Sequence, residues 1–288
     1  NLVPTDSVYI YFNGADSNQL KADATTESFT GVLTTDGSYI ATIKSRDIAG
    51  NLSSVSTGLN FRLDTTPFTP TTTPNLLAEF DSGMSTSDDT TSSRVPQFEV
   101  TQLPSISDSL YLYIQSGITN QLVQKTIKSY NKTKDTLFVP DGSELGSGEF
   151  TVTYTVLDSA GNVSVPSNPM TLYIDYTAPN NPGEPILNSS SDLGESNADK
   201  LTNQDRVDIT LTNILPGYSG LIYLDDGVTK TKIDSGFFTP GQEGITFDVP
   251  TAQTGTYVYT TVHVDTAGNR SGFSDPITIS VDRDAPSA

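Results

Sequence analysis

The stretch YVYTTVHVDTAGNRSGFSDPITISVDRDAP, Tyr257 to Pro286, decides the reading of this chain. It opens on period-two alternation, with Tyr257, Tyr259, Thr261 and His263 on one face, as expected of a half-buried strand. A turn, DTAGN at Asp265, follows, then a short apolar run and the acidic connector VDRDAP at Asp282. The same order is written twice earlier. DIAGN stands at Asp47 to Asn51 and DSAGN at Asp158 to Asn162, so the steps are 111 and 107 residues. The connectors LDTTP at Asp64 and IDYTAP at Asp175 keep the same two steps. A third marker, DSGMSTSD from Asp81 to Asp88, returns 111 residues on as DLGESNAD from Asp192 to Asp199. Three markers in phase define an internal repeat.

A period near ~100 residues is the size of one immunoglobulin-like sandwich. The earlier copies alternate in the same way ahead of the turn, through Tyr39, Ala41, Ile43 and Ser45, and through Phe150, Val152, Tyr154 and Val156. Within the middle copy the pattern predicts seven short strands, near Asn75–Phe80, Pro96–Thr101, Ser109–Gln115, Leu122–Ile127, Thr136–Val139, Phe150–Leu157 and Met170–Ile174, separated by Gly, Pro, Asn and Asp. The expected fold is all-β: tandem immunoglobulin-like β-sandwiches arranged end to end as a rod. The units are 1–64, 65–175 and 176–288. The first is incomplete, because DSVYIYFNG at Asp6 aligns with DSLYLYIQSG at Asp108 and nothing corresponds to Pro67 through Val100. A sandwich lacking those strands exposes an open edge and half a core. The natural chain is therefore expected to begin earlier.

Composition narrows the function classes. With 15 Lys and Arg against 34 Asp and Glu, the net charge of the 288 residues is −19, which repels phosphate backbones and anionic headgroups. Nucleic acid is not an expected partner. No stretch approaches the ~20 apolar residues that cross a bilayer, so membrane insertion is not expected either. The chain has no Cys, no Trp and one His, so zinc held by thiolates or several imidazoles is excluded and any metal site must be built from oxygen. Motifs for hydrolases, P-loops and zinc proteases are absent. His263 lies on an inward strand face and reads as core. Sequons at Asn51, Asn131, Asn162, Asn188 and Asn269 arise readily in a Thr/Ser-rich chain.

The acidic residues recur at fixed places, and those places converge in a sandwich. The D-x-A-G-N loop lies at the pole facing the preceding unit, and the D-S-G-x-S-x-x-D loop at the pole facing the next. At the junction of the second and third copies this gathers Asp81, Asp88, Asp175 and Asp265 with Asn269. Four carboxylates brought together repel one another unless a cation is present. Calcium takes 6–8 oxygens from carboxylates, amides and backbone carbonyls and suits this donor set. The alternative reading is that each Asp caps a turn.

These residues carry a specific resemblance. VDRDAP, IDYTAP and LDTTP, each preceded by D-x-A-G-N-x-S, resemble the tandem bacterial Ig-like domains of giant type I-secreted adhesins of the SiiE kind. The resemblance spans two full repeats and one partial, and it implies a long stalk stiffened by Ca2+ near the junctions. Carried over residue by residue, it implies acidic metal positions at Asp47, Asp64, Asp81, Asp88, Asp158, Asp175, Asp192, Asp199, Asp265 and Asp282, to which the residue reading adds Asn51, Asn162 and Asn269. The first connector departs from the pattern, reading LDTTPF, and the third carries an extra acid, Asp284. Prolines after the junction Asp residues, Pro67, Pro179 and Pro286, each fix one backbone angle.

The implied protein is a secreted or bacterial cell-surface monomer without enzymatic activity, partnered by neighbouring repeats, with host-cell glycans or receptors met through another region. Two other readings are a glycan- or receptor-binding module, with Tyr111 and Tyr113 or Tyr257 and Tyr259 as surface candidates that otherwise read as core, and an ancillary domain of a secreted polysaccharide-degrading enzyme.

Overall fold

The computed structural model describes residues 7–13, 33–83, 85–103, 108–116, 123–130 and 134–287. These residues form nineteen strands and no helix. Of the sequence expectations, Asp6, Met84, Leu122 and the sequon at Asn131 lie outside the described residues.

The first group of strands is β1 (Ser7–Phe12), β2 (Gly37–Arg46) and β3 (Leu59–Leu63), an antiparallel sheet in that order. Phe12, Tyr39 and Phe61 cluster on it, the latter two stacked at 5.6 Å. The second group runs β4 (Asn75–Leu76), β5 (Thr90–Thr91), β6 (Gln97–Thr101), β7 (Asp108–Ser116), β8 (Val123–Tyr130), β9 (Lys134–Phe138), β10 (Gly148–Leu157) and β11 (Met170–Ile174). It folds as a five-stranded sheet, β5-β11-β10-β7-β8, over a three-stranded one, β4-β6-β9. The third group repeats this arrangement. It contains β12 (Ile186–Leu187), β13 (Leu201–Thr202), β14 (Arg206–Leu211), β15 (Ser219–Asp225), β16 (Lys230–Phe237), β17 (Ile245–Pro250), β18 (Gly255–Val264) and β19 (Ile277–Val281), as sheets β13-β19-β18-β15-β16 and β12-β14-β17.

Each pair of sheets encloses its own core. In the second group Leu110, Leu112, Ile114, Val152, Tyr154 and Val156 from one sheet meet Phe98, Val100 and Leu137 from the other. In the third, Ile222, Tyr259, Ile277 and Ile279 meet Val207, Ile209, Phe247 and Val249. The inward face read from β10 is present, with Phe150, Val152, Tyr154 and Val156 all buried, whereas β18 buries both parities from Tyr259 to His263; Tyr154 and Tyr259 are fully buried. Their hydroxyls are satisfied locally, Tyr154 by Thr72 Oγ1 at 3.0 Å and Tyr259 by donation to the Pro250 carbonyl.

Tyr111 and Tyr113 differ from their reading as core. Strand β7 turns Leu110, Leu112 and Ile114 inward, so the two tyrosines lie on the opposite face. Every position of SLYLYI is apolar or aromatic, and alternation alone does not say which parity faces in.

Leu112→Ala is expected to lower the unfolding free energy by about 3 kcal/mol through transfer and cavity contributions, and Tyr113→Ala by distinctly less. Urea denaturation of the two variants reads the difference directly.

Candidate functional site at the strand-group junctions

The three D-x-A-G-N turns are superimposable in their hydrogen bonds. In the third, Asp265 N–H donates to Asn269 O (3.1 Å) and Gly268 N–H to Asp265 O (3.1 Å), while Asp265 Oδ1 accepts from the backbone of Ala267 and Asn269. Asp158 and Asp47 repeat the pattern, accepting from Asn162 and Asn51. The glycine at the fourth position has φ of 92°, 96° and 87° at Gly50, Gly161 and Gly268, the left-handed region that a Cβ disfavours.

The final Asn does more than close the turn. Both N–H bonds of the Asn269 amide are used: one reaches Asp265 Oδ2 at 2.9 Å, the other the backbone carbonyl of Asp175 at 2.7 Å. Asn162 likewise bridges Asp158 Oδ2 (2.8 Å) and the Asp64 carbonyl (3.0 Å). The loop of one strand group is thus bolted to the connector that leaves the preceding group. Asn51 holds Asp47 Oδ2 at 2.9 Å in the same way.

A second contact locks the other side. Ser82 Oγ donates to Ala267 O at 2.5 Å. Gly83, at φ 114°, lies so close that a Cβ there would stand 2.2 Å from Thr266 O, and one on Gly268 would stand 2.7 Å from Gly83 N. Beside the clamp a cavity of about 570 Å3 is lined by Asp175, Asn180, Asn213, Tyr218 and His263 among others. Burial, then the charges of Asp265 and Asp175, push the Tyr218 phenol up.

The carboxylates behave differently from one another. Hydrogen bonds from Asn51, side chain first, hold Asp47 below the usual range. For Asp158 burial acts upward but is outweighed by Asn162 and the turn amides, and the net shift is down. Asp175 Oδ1 accepts from Thr177 N–H (2.9 Å), Asp282 Oδ1 from Asp284 N–H (2.9 Å), and Asp64 takes Arg62 at 3.3 Å. Asp88 and Asp199 accept from the amides of Thr90 and Leu201. These groups are turn caps.

Asp81 and Asp192 are not. Both are buried, and each leaves its Oδ1 without a hydrogen-bond partner. Asp192 Oδ2 accepts from Lys200 N–H at 3.1 Å, and the Asp89 amide serves Asp81. Burial first, then the neighbouring Asp88 charge, raises the Asp81 carboxyl, and the same two causes raise Asp89. Asp89 and Lys200 both sit at positive φ, 56° and 61°.

Asp81, Asp88, Asp175 and Asp265 reach one junction, yet among the described residues no three His, Asp or Glu groups are arranged to hold a metal ion. Asp175 and Asp265 spend their oxygens on backbone amides and on Asn269. Sequence reading missed Ser82 and Gly83; Gly83 recurs as Gly194, which was a signal, whereas Ser82 is replaced by Leu193 and carried none. It also missed the S-x-x-S that follows each turn: Ser164 Oγ and Ser167 Oγ accept from Val156 and Tyr154, as Ser271 and Ser274 do from His263 and Thr261.

Residues 68–176 match the bacterial Ig-like domain family, Big_13. The chain is similar to the FN1–FN3 domains of chicken CNTN1, at 14% identity over 97% of this chain and 90% of that one, with a TM-score of 0.48. It is similar to a tetra-tandem repeat in the extending region of a large adhesion protein, at 18% identity over 98% and 68% with a TM-score of 0.31. It is also similar to a Ca2+-stabilized adhesin that helps an Antarctic bacterium reach out and bind ice, at 18% identity over 99% and 67% with a TM-score of 0.37. No curated protein matches the chain.

Asn269→Ala should lower stability by about 1–2 kcal/mol, because two carbonyl and carboxylate acceptors lose their donor, and Gly83→Ala should separate the junction through its clash with Thr266. Small-angle scattering distinguishes the loosened junction from the intact one. A pH dependence follows from His263, whose Nδ1 lies 3.2 Å from Asn180 O. Burial holds its pKa below the ordinary 6.5, so the unfolded chain binds the proton first and stability falls as pH drops below 6.5. Raised carboxyls such as Asp81 act in the opposite sense, at lower pH, gaining stability as they protonate. His263→Val, which installs the residue type found at Val156, should flatten the melting temperature between pH 7 and the carboxylate range.

Proposed function

We propose that this chain is a calcium-stiffened repeat segment of a giant secreted or cell-surface bacterial adhesin, a stalk that presents a distal adhesive region to host cells. Its units are 1–64, 65–175 and 176–288, stacked end to end. One observation carries the reading: the same asparagine clamp occurs at both junctions, Asn162 to the Asp64 carbonyl and Asn269 to the Asp175 carbonyl. A clamp made between consecutive repeats transmits orientation along a chain, which is what a stalk requires. The bacterial Ig-like match of residues 68–176 supports the family side of the reading. The absence of cysteine suits export as an unfolded polypeptide, and the role needs no reaction.

Calcium fits one part of the junction better than the rest. Asp81, Asp88 and Asp89 stand in one loop without being pre-arranged as ligands, so an ion would have to draw them together; there Asp81 Oδ1 is buried without a partner, and burial first, then the Asp88 charge, raises its pKa. A divalent cation there would satisfy that oxygen and remove the repulsion. These residues would hold the ion, with Asp192 and Asp199 as their counterparts, and the ion would supply only positive charge and rigidity. The turn residues Asp47, Asn51, Asp158, Asn162, Asp265 and Asn269, and the connector residues Asp64, Asp175 and Asp282, act in this reading through hydrogen bonds.

Scanning calorimetry in millimolar calcium and in excess EGTA tests the proposal. For sites with dissociation constants of ~10⁻⁴–10⁻³ M, 10 mM calcium should add roughly 1.4–2.7 kcal/mol. Asp81→Asn should stabilise the calcium-free protein, by removing a buried like charge, and abolish the calcium response. Identical melts in both buffers would leave the acidic loops as turn caps and sink the calcium part of the reading.

A further inference from the structure

The outer face of sheet β13-β19-β18-β15-β16 carries a cluster of two aromatic rings with three cations. On β15 Ile222 and Leu224 face the core, so Tyr223 and Asp225 point outward. Register then places Lys232 opposite Tyr223 and Lys230 opposite Asp225, with Thr260 of β18 on the other side of Tyr223. After the DTAGN turn the chain runs back along β18, Ser271 N–H donating to His263 O at 3.0 Å and Ser274 N–H to Thr261 O at 2.9 Å. That path sets Arg270 and Phe273 on the same face.

The groups touch. The Tyr223 and Phe273 rings meet edge to face at 5.2 Å and 85°. Arg270 Nη1 donates to Tyr223 Oη at 3.4 Å. Lys230 Nζ lies 5.1 Å from the Phe273 ring centre and pairs with Asp225. Phe273 remains 42% exposed, Arg270 and Lys232 are exposed, and neither cation makes an ion pair among the described residues. Beneath them Thr260 Oγ1 is buried without a hydrogen-bond partner.

The scaffold does not require this cluster. At the positions of Arg270 and Phe273 the second repeat has Val163 and Pro166, and the first has Leu52 and Val55. The other two repeats carry apolar side chains at these positions, so the sandwich does not call for an aromatic ring and a guanidinium there.

Charge selects the partner. Two unpaired cations on a chain of net charge −19 form a local anion site in a field that repels extended polyanions beyond a Debye length of about 8 Å. A fitting ligand is therefore compact, carries one anionic group and has an apolar side to lay against a ring. We propose that Tyr223, Phe273, Arg270 and Lys232 bind an acidic sugar residue of a host or matrix glycan, with its carboxylate on Arg270 and Lys232 and its C–H face against Phe273. The guanidinium suits a planar carboxylate. This goes beyond the stalk reading and does not depend on calcium: it gives the repeat array an adhesive contact of its own.

The test is an NMR titration of the isotopically labelled chain with sialyllactose, and with lactose as the neutral control, in EGTA. Amides around Tyr223, Arg270 and Phe273 should shift with sialyllactose and not with lactose. Arg270→Ala should weaken binding about tenfold, Phe273→Ala should weaken it too, and Val163→Ala should leave it unchanged. Should Phe273→Ala lower the melting temperature, Phe273→Leu retains the packing without the ring and must still bind more weakly. Absence of shifts at millimolar sialyllactose, equal binding of lactose, or full binding by Arg270→Ala would overturn the proposal. So would a glutamate-rich peptide that binds the patch more tightly than the sialylated probe, because the partner would then be an acidic polypeptide.

Discussion

The amide of Asn269 is the hinge on which the junction depends. Its two N–H bonds are fully committed, one to the carboxylate that shapes its own turn and one to a carbonyl of the preceding connector. Turn geometry and inter-repeat geometry are thereby the same equilibrium. If the turn opens, the connector carbonyl loses its donor, and if the connector swings away, a half-buried amide N–H loses its acceptor. Backbone contact between Gly83 and Gly268 is possible only because the turn is formed. These hydrogen bonds come entirely from the chain's own groups, so in the proposed reading a cation would add to them rather than replace them.

Much of this was legible in the sequence, and the gaps have physical reasons. Alternation located β10 and its inward face, because polar and apolar residues differ sharply across that strand, whereas β18 buries both parities from Tyr259 to His263. It could not orient β7, where both faces are apolar. The two-residue strands β5 and β13, which pair in parallel with β11 and β19, were not foreseen, since two residues carry no periodicity. The repeat spacing placed the acidic loops at the correct poles. It could not say where each carboxylate points. Asp175 and Asp265 turned to nearby amides, the commoner fate of an Asx residue in a turn, while Asp81 was carried inward by a loop whose closure rests on Asp89 at positive φ.

The two acidic loops also show how one substitution changes the electrostatics of a conserved geometry. Asp81 and Asp192 occupy the same buried place, each with one oxygen on a backbone amide and one without a partner. The amide donor is Asp89 in one loop and Lys200 in the other. In the first loop the added carboxylate raises the charge density, and both Asp81 and Asp89 are pushed up in pKa. In the second the added residue is a cation that pairs with Glu184. A mobile divalent ion has most to neutralise in the loop that lacks a lysine, so the junctions of one array need not respond equally to calcium.

In the proposed reading, stiffness and recognition would occupy separate positions within the repeat. Asp, Gly and Asn of the turn, and the Ser pair that follows, are tied by hydrogen bonds in all three copies. The residues between them, Leu52 and Val55, Val163 and Pro166, Arg270 and Phe273, differ in side chain from copy to copy, while Leu52, Val163 and Arg270 keep the same backbone bridge to the preceding strand. Substitution there changes the surface while leaving the clamp intact. A repeat built in this way can extend a stalk with every copy and acquire a binding face in any one of them, because the side chains that set the direction of the chain are not those that meet its surroundings.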